Sequence, residues 1–306
     1  MKTFSYIVVA FSIVACFAVA CAGVFAAIDE QTVFAVVSVD AGEDPVVVIH
    51  LDATDNHRGA CPSGMAEVDG DYCSDVREVC LRWVDREGNA IPEAIPGPAA
   101  SDLDRSGRCA EWEFPTRCVG SIVHKHYCID LYEYPNVAGA IPRSWMNWYD
   151  GQRACAADGK RLCTRAEWTL ACEGPNMMPY PYGEGYRRDS TACNIDNTTP
   201  VDSETGKKVS VFDATSHGTR AAKLLDGMLK PSGSMPACVS PYGVYDMVGN
   251  LDEQVVNTSG HPHWSGLMGG HVFGVRNACR PMTDAHDENF GWYETTARCC
   301  KSIGEK

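Results

Sequence analysis

The stretch Trp145–Pro175, WMNWYDGQRACAADGKRLCTRAEWTLACEGP, decides the fold. It reads as helix, tight turn, short extended piece, helix. Asp150 can cap a helix over Gly151–Ala157, and Gly159 suits its C-terminal stop. Lys160 to Cys163 then run extended. Thr164 opens a second helix with Glu167 three residues on, the two halves of a capping box. Trp168, Ala171 and Cys172 recur at helical spacing, so that helix shows one apolar face. Each helix carries a cysteine, which predicts a core pinned by disulfides.

Toward the N-terminus, Lys2 precedes an uncharged, mostly apolar run from Thr3 to Ala27, the pattern of a secretory signal. Three fates stay open. One is cleavage near Ala26, after Val24-Phe25-Ala26. The second is lipid attachment at Cys16 or Cys21, each preceded by a small-residue motif. The third is an uncleaved anchor, since the run is long enough to span a bilayer. The expected organisation is a signal over 1–27, a spacer over 28–58 and a domain over 59–303. The spacer's apolar run Pro45–Ile49 suits one added strand. The domain carries a cysteine-rich insertion at about 73–121. The chain is therefore expected to be exported, to a bacterial cell envelope (periplasmic or lipid-anchored) or into the medium. Membrane contact is expected only through that N-terminal lipid or anchor.

Cysteine usage agrees with export. Of sixteen cysteines, setting aside Cys16 and Cys21 leaves an even fourteen. No pair has the two-residue spacing of a zinc ribbon, so a disulfide framework in an oxidising compartment is expected. Cys61, Cys73, Cys80, Cys109, Cys118 and Cys128 allow fifteen pairings, among which sequence cannot choose. The adjacent Cys299 and Cys300 are read as bridging to two different partners. A net charge of −14 and a pI near 5.0 argue against nucleic acid or anionic lipid as main partner. An unidentified protein or surface ligand is expected instead. Hydrophobic content of 45% with 22% charged residues is that of a globular chain.

With three further pieces, the opening stretch resembles the formylglycine-generating enzymes, also called sulfatase-modifying factors. WYDGQRACAADGKRLCTRAEWTLACEG (Trp148–Gly174) matches their helix–turn–helix signature. CIDLYEYPN (Cys128–Asn136), YGVYDMVGNLDEQV (Tyr242–Val255) and GLMGGHVFGVRNACRPMTDAH…ARCC (Gly266–Cys300) follow the family's order. The resemblance implies an α+β fold of C-type-lectin-like topology, disulfide-rich and with much irregular structure. It also implies two bridges, Cys155 to Cys299 (with Cys300 as the other choice) and Cys172 to Cys279. Asn194 to Pro236 remains a long polar loop, functional or mobile, with one short helix expected within Ala221–Leu229.

The resemblance implies structural calcium at Asp246, Gly249, Leu251 and Glu253. That set mixes carboxylates with backbone carbonyls on a bending chain, as calcium requires. Asn194 and Ile195 resemble the start of a second calcium site. The chain also departs from the family, whose spelling continues Gly-Asn-Val-Trp-Glu-Trp. Here Leu251-Asp252-Glu253-Gln254 puts polar residues in place of both tryptophans.

In the active family, two nearby cysteines after the Gly-Gly turn bind copper and activate oxygen. Soft thiolates suit copper(I). After Gly269-Gly270, the first of those positions falls on or near Gly274, and only Cys279 remains. Cys279 also matches a structural bridge cysteine, so no catalytic residue is assigned and copper is not expected. His261, His263 and His271 lie in the same region, but no carboxylate stands at a recognised spacing from them. The expected function is that of an exported, non-catalytic binding or surface module. The alternative is an oxygen-dependent oxidoreductase with remodelled ligands, which needs a free thiol pair or a histidine cluster.

Overall fold

The computed structural model describes residues 26–29, 32–35, 49–51, 60–85, 89–90, 108–274 and 276–303. Apart from Ala26 and Ala27, the expected export signal lies outside the described residues, with Cys16 and Cys21. Among the described residues no helix is long and apolar enough to cross a membrane. The chain divides into two units, Met1–His57 and Arg58–Lys306. In the first, β1 (Ala26–Asp29), β2 (Thr32–Ala35) and β3 (Ile49–Leu51) form an antiparallel sheet in that order.

The second unit is α+β. Its longest pairing joins β4 (Met65–Cys73) to β9 (Ile122–Asp130), antiparallel from Met65↔Asp130 to Cys73↔Ile122. The segment between them makes two small antiparallel pairs. They are β5 (Val76–Arg77) with β8 (Arg117–Cys118), and β6 (Cys80–Trp83) with β7 (Cys109–Trp112). The six cysteines here are nested: Cys61–Cys128, Cys73–Cys118, Cys80–Cys109. Antiparallel pairing brings residues at falling and rising numbers together, so each bridge sits inside the one before it.

The helix–turn–helix packs on this sheet. Helix α1 is Trp148–Ala157, strand β10 is Arg161–Leu162 and helix α2 is Arg165–Glu173. Helix α2 begins as expected, with Thr164 and Glu167 satisfying each other's backbone N–H groups. Helix α1 starts three residues earlier than the sequence reading. Asn147 is its N-cap, and Asp150 is the returning half of that capping box. Asn and Asp are both good N-caps, and the winner is the one placing Trp148 inside the helix. Gly151 lets α1 lie close to its neighbours: a Cβ there would stand 3.0 Å from Leu162 and 3.1 Å from Ala297.

A second sheet has the order β13-β12-β11-β14. Its strands are β11 (Asp252–Val256), β12 (Ser265–Met268), β13 (Met282–Thr283) and β14 (Thr295–Ala297). Strand β14 lies parallel to β11, and the other pairings are antiparallel. One residue past β14, β15 (Cys299–Ser302) joins the first sheet between β10 and β9. Arg298 is therefore the single residue between the two sheets. The long loop contains helix α3 (Arg220–Asp226), which starts one residue before the expected span and ends three residues short of its end. It closes over a separate apolar cluster that includes Leu225, Leu229, Leu251, Phe273 and Tyr293.

Cys155 is bonded to Cys299 and Cys172 to Cys279, the pairings the resemblance implies. Cys163–Cys300 and Cys193–Cys238 complete seven bridges. All fourteen cysteines of the described residues are bonded. Cys155 and Cys299 lie 144 residues apart, so this bridge is worth about 5 kcal/mol in the chain-entropy model.

Next to Cys172–Cys279, Glu173 and Arg280 form a buried bidentate ion pair at 2.6 Å. Burial pushes the Glu173 carboxyl up to about 7 despite Arg280. It pushes Glu78 up to about 7 as well, and Glu78 Oε1 is buried without a hydrogen-bond partner. Raised carboxyl pKa values mean that the folded chain holds protons the unfolded chain has released. Stability is then fully present below about pH 4.5 and is lost as pH rises through about 7. Urea unfolding between pH 4.5 and 7.5 should show a loss on the order of 2–3 kcal/mol for each of the two carboxyls. Glu78→Gln should flatten that slope, and an unchanged slope in the variant would refute the assignment.

Candidate functional site

The strongest chemical cluster assembles where β11, the Gly269-Gly270 turn and the start of β14 meet. Asp252 opens β11, and its backbone N–H donates to the Glu294 carbonyl oxygen at 2.7 Å. The two carboxylate-bearing residues are thereby fixed side by side. Gly269 and Gly270 both have positive φ, +87° and +69°, a turn open to glycine. That turn aims the Gly270 N–H at Asp252 Oδ1, 3.0 Å away, and delivers His271 to the same place. His271 Nε2 lies 3.2 Å from Glu294 Oε2. Arg276 Nη2 donates to Asp252 Oδ2 at 2.7 Å. The ligand atoms of Asp252, His271 and Glu294 all lie within 4.8 Å of one another. Burial pushes the Asp252 and Glu294 carboxyls up, and Arg276 pulls both back.

His271 and Glu294 line a cavity of about 610 Å³. The long loop supplies one wall, with Asp196–Thr199, Lys208 and Ser210–Phe212. Phe273, Trp292 and Tyr293 supply the other. Phe212 is 78% exposed and its ring sits 6.2 Å from that of Trp292. The loop is thus one face of a pocket, with an aromatic lip and a polar, acidic floor.

Gly274, on or near which the first thiol position was expected to fall, is held by close packing. Gly274 has φ +77°, and a Cβ there would fall 2.3 Å from Asp196 Oδ1. Asp196 is itself held by Arg188 through two hydrogen bonds of 2.8 and 2.9 Å. Cys279 is spent in its bridge to Cys172. The residues present do not fit a two-thiolate copper site.

Nor do they fit calcium at Glu253. Both carboxylate oxygens accept from Arg298, at 2.6 and 2.8 Å, and Oε2 also accepts from the Trp168 indole at 2.7 Å. Arg298 further donates to the carbonyls of Asp130 and Tyr245. A buried guanidinium therefore takes the charge that a bound cation would balance. Asp246 accepts from the Gly233 N–H, and burial raises its carboxyl. Gly249 (φ +81°) lies against Asn194 and Ile195, where an added Cβ would meet the Asn194 carbonyl at 2.5 Å. The Asn194 carbonyl accepts from the Asn250 N–H, its side-chain oxygen from Asn197. Ile195 and Leu251 are buried in apolar clusters. The structure thus brings the two expected calcium segments together, with the Glu253 carboxylate, Asp246 Oδ2 and both Asn194 oxygens already accepting internal donors.

The sequence reading missed the site that does converge. It singled out His271 together with His261 and His263, but the carboxylates beside His271 come through space, from β11 and the residue before β14. Asp252 was visible as a departure from the family spelling, and that was the usable signal. Glu294 gave none.

The family model described as "Sulfatase-modifying factor enzyme 1-like domain" matches residues 133–291. The chain is similar to a curated protein of Chlamydia caviae, "Serine/threonine-protein kinase pkn1", at 30% identity over 109 residues. That is 35% of this chain and 12% of the kinase's own length. Among solved structures it is similar to PvdO from Pseudomonas aeruginosa, with TM-score 0.44 and 16% identity. That likeness covers 78% of this chain and 94% of PvdO. CarF gives TM-score 0.42 and 15% identity, covering 79% of this chain and 99% of CarF.

The Arg298 arrangement has a direct consequence. Adding calcium to the chelator-treated protein should leave its melting temperature unchanged, because the Glu253 carboxylate is already committed to Arg298. Arg298→Met should cost about 3–5 kcal/mol, because it strands Glu253 as a buried charge. A calcium-induced rise in melting temperature, abolished by Asp246→Ala, would restore the calcium site.

Proposed function

The chain belongs to the sulfatase-modifying factor enzyme 1-like family, and from that premise we propose that it is an exported binding module that does not make formylglycine. The observation that carries this reading is the state of the cysteines. All fourteen within the described residues are in disulfides, Cys279 among them, and Gly274 has no side chain to donate. Formylglycine chemistry needs free, ionisable thiols close together. Seven disulfides also fit an oxidising compartment outside the cytosol. Retention at the cell envelope through an N-terminal lipid or anchor belongs to the same proposal.

Binding is placed in the cavity beside the long loop. Its walls offer aromatic faces at Phe212, Phe273 and Trp292, with polar groups at Asp196, Asn197, Lys208 and Glu294. Apolar walls with a few convergent polar groups are the usual composition of a ligand pocket. An exposed Phe212 at the lip has no core to serve, and it suits a ligand with a flat apolar face and polar edges.

Two measurements test this. The purified mature protein should bind no copper(I) stoichiometrically and should leave a cysteine-containing sulfatase peptide unchanged in air. Loss of the peptide's thiol by mass spectrometry, dependent on Cys279, would revive the oxidoreductase alternative. In a panel of envelope oligosaccharides and peptides, a true ligand should shift tryptophan fluorescence saturably. Phe212→Ala should weaken that binding at least about tenfold, on the scale of a lost aromatic contact. Unaltered affinity in the variant would move the binding site elsewhere.

A further inference from the structure

We propose that Asp252, His271 and Glu294 hold a divalent first-row transition-metal ion at the floor of the cavity. Three side chains from three separate segments bring one nitrogen and two oxygen ligands within 4.8 Å of one another. Ligand atoms on one ion with bonds of about 2.0–2.2 Å stand at most about 4.4 Å apart, so small side-chain movements bring this group onto an ion. The group is nearly dry, with side-chain exposures of 0%, 8% and 12% for Asp252, His271 and Glu294. A buried pair of carboxylates is costly until its charge is balanced. Arg276 offsets the charge of Asp252, and a cation between Glu294 and His271 would meet the negative charge that remains.

The surroundings hold the ligands in place before any ion arrives. Asp252 and Glu294 are fastened through the backbone bond between them. Asp252 is oriented by the Gly270 N–H and by Arg276, as outer hydrogen bonds orient metal-bound carboxylates. Asn277 donates to the carbonyls of Gly269 and His271, fixing the turn that carries the imidazole. The rings of Phe273 and Tyr293 stand edge-on to His271, with centroids 5.6 and 6.2 Å away.

The donor set selects the ion. One imidazole with two carboxylates suits zinc, iron(II) or manganese(II). It is poor for calcium, which takes oxygen, and for copper(I), which prefers sulfur. Three protein ligands leave coordination open, as in sites that bind a substrate or water. Because His271 and Glu294 both line the cavity, the open side faces it. A pocket ligand with an oxygen donor would meet the ion there. This deepens the pocket reading and rests on it only for the ion's open face.

The full mature chain, stripped with chelator and dialysed, is titrated with zinc by calorimetry and with cobalt(II) by visible spectroscopy. One equivalent should bind, with d–d bands for cobalt. Asp252→Asn, Glu294→Gln and His271→Ala should each weaken binding by at least about 100-fold. X-ray absorption on the zinc-loaded, unsubstituted chain should show one imidazole, oxygen ligands and no sulfur. That arm does not depend on any variant folding. The absence of saturable one-to-one binding by the unsubstituted chain would overturn the proposal. So would two or more imidazoles per zinc, or undiminished affinity in the three variants. No pocket ligand enters the titration, so this site and the Phe212 pocket can fail separately.

Discussion

The fold turns on one buried ion pair. Arg298 and Glu253 have side chains 0% and 1% exposed, and their contact is bidentate. The guanidinium also reaches the carbonyls of Asp130, at the end of β9, and of Tyr245, ahead of β11. Glu253 in turn accepts from Trp168 of α2. One charge pair therefore ties together both sheets and the second helix. Such a pair is not a large net source of stability, because two charges had to leave water. Its effect here is on arrangement: any other packing of β11 against the β14–β15 junction would strand a buried charge.

That junction sets the rest of the C-terminal geometry. A strand points successive side chains to opposite faces. Cys299 and Cys300 are adjacent on β15, so they cannot share a partner, and they bond Cys155 of α1 and Cys163 after β10. At the other end of β14, Glu294 is carried beside Asp252 by the parallel β11–β14 register, in which Asp252 faces Thr295. Asp252 and Glu294 are thus positioned by sheet register and His271 by the Gly269-Gly270 turn, with the long loop adding only its wall.

Local chemistry was legible in the sequence, and through-space chemistry was not. The Thr164–Glu167 capping box depends on residues three apart, and it could be read directly. The Asn147–Asp150 box has the same spacing, yet Asp150 passed as the cap because aspartate suits either position. Cys155–Cys299 and Cys172–Cys279 came only from the resemblance, since spacing carries no pairing information, and Cys163–Cys300 was not expected at all. Glu253 looked like a calcium ligand because nothing near it in sequence announces Arg298, 45 residues on. His271 looked isolated for the same reason: its carboxylates belong to other strands. The nested pairing of the six early cysteines needed the β4–β9 ladder, which no local pattern revealed.

The fit of glycine at 274 is not a matter of one residue. The place a side chain at 274 would occupy is filled by Asp196, whose carboxylate is committed to Arg188. Arg188 also reaches the Asn277 carbonyl and side-chain oxygen, and Asn277 holds the turn that carries His271. A cysteine at 274 would have to displace Asp196, leave Arg188 without its carboxylate and loosen that turn. Freeing Cys279 would separately require breaking its bridge to α2 beside the Glu173–Arg280 pair. The acidic floor and the glycine at 274 are therefore two sides of one arrangement. The hydrogen bonds that orient Asp252 and His271 belong to the same Gly269–Asn277 segment whose packing excludes a side chain at 274.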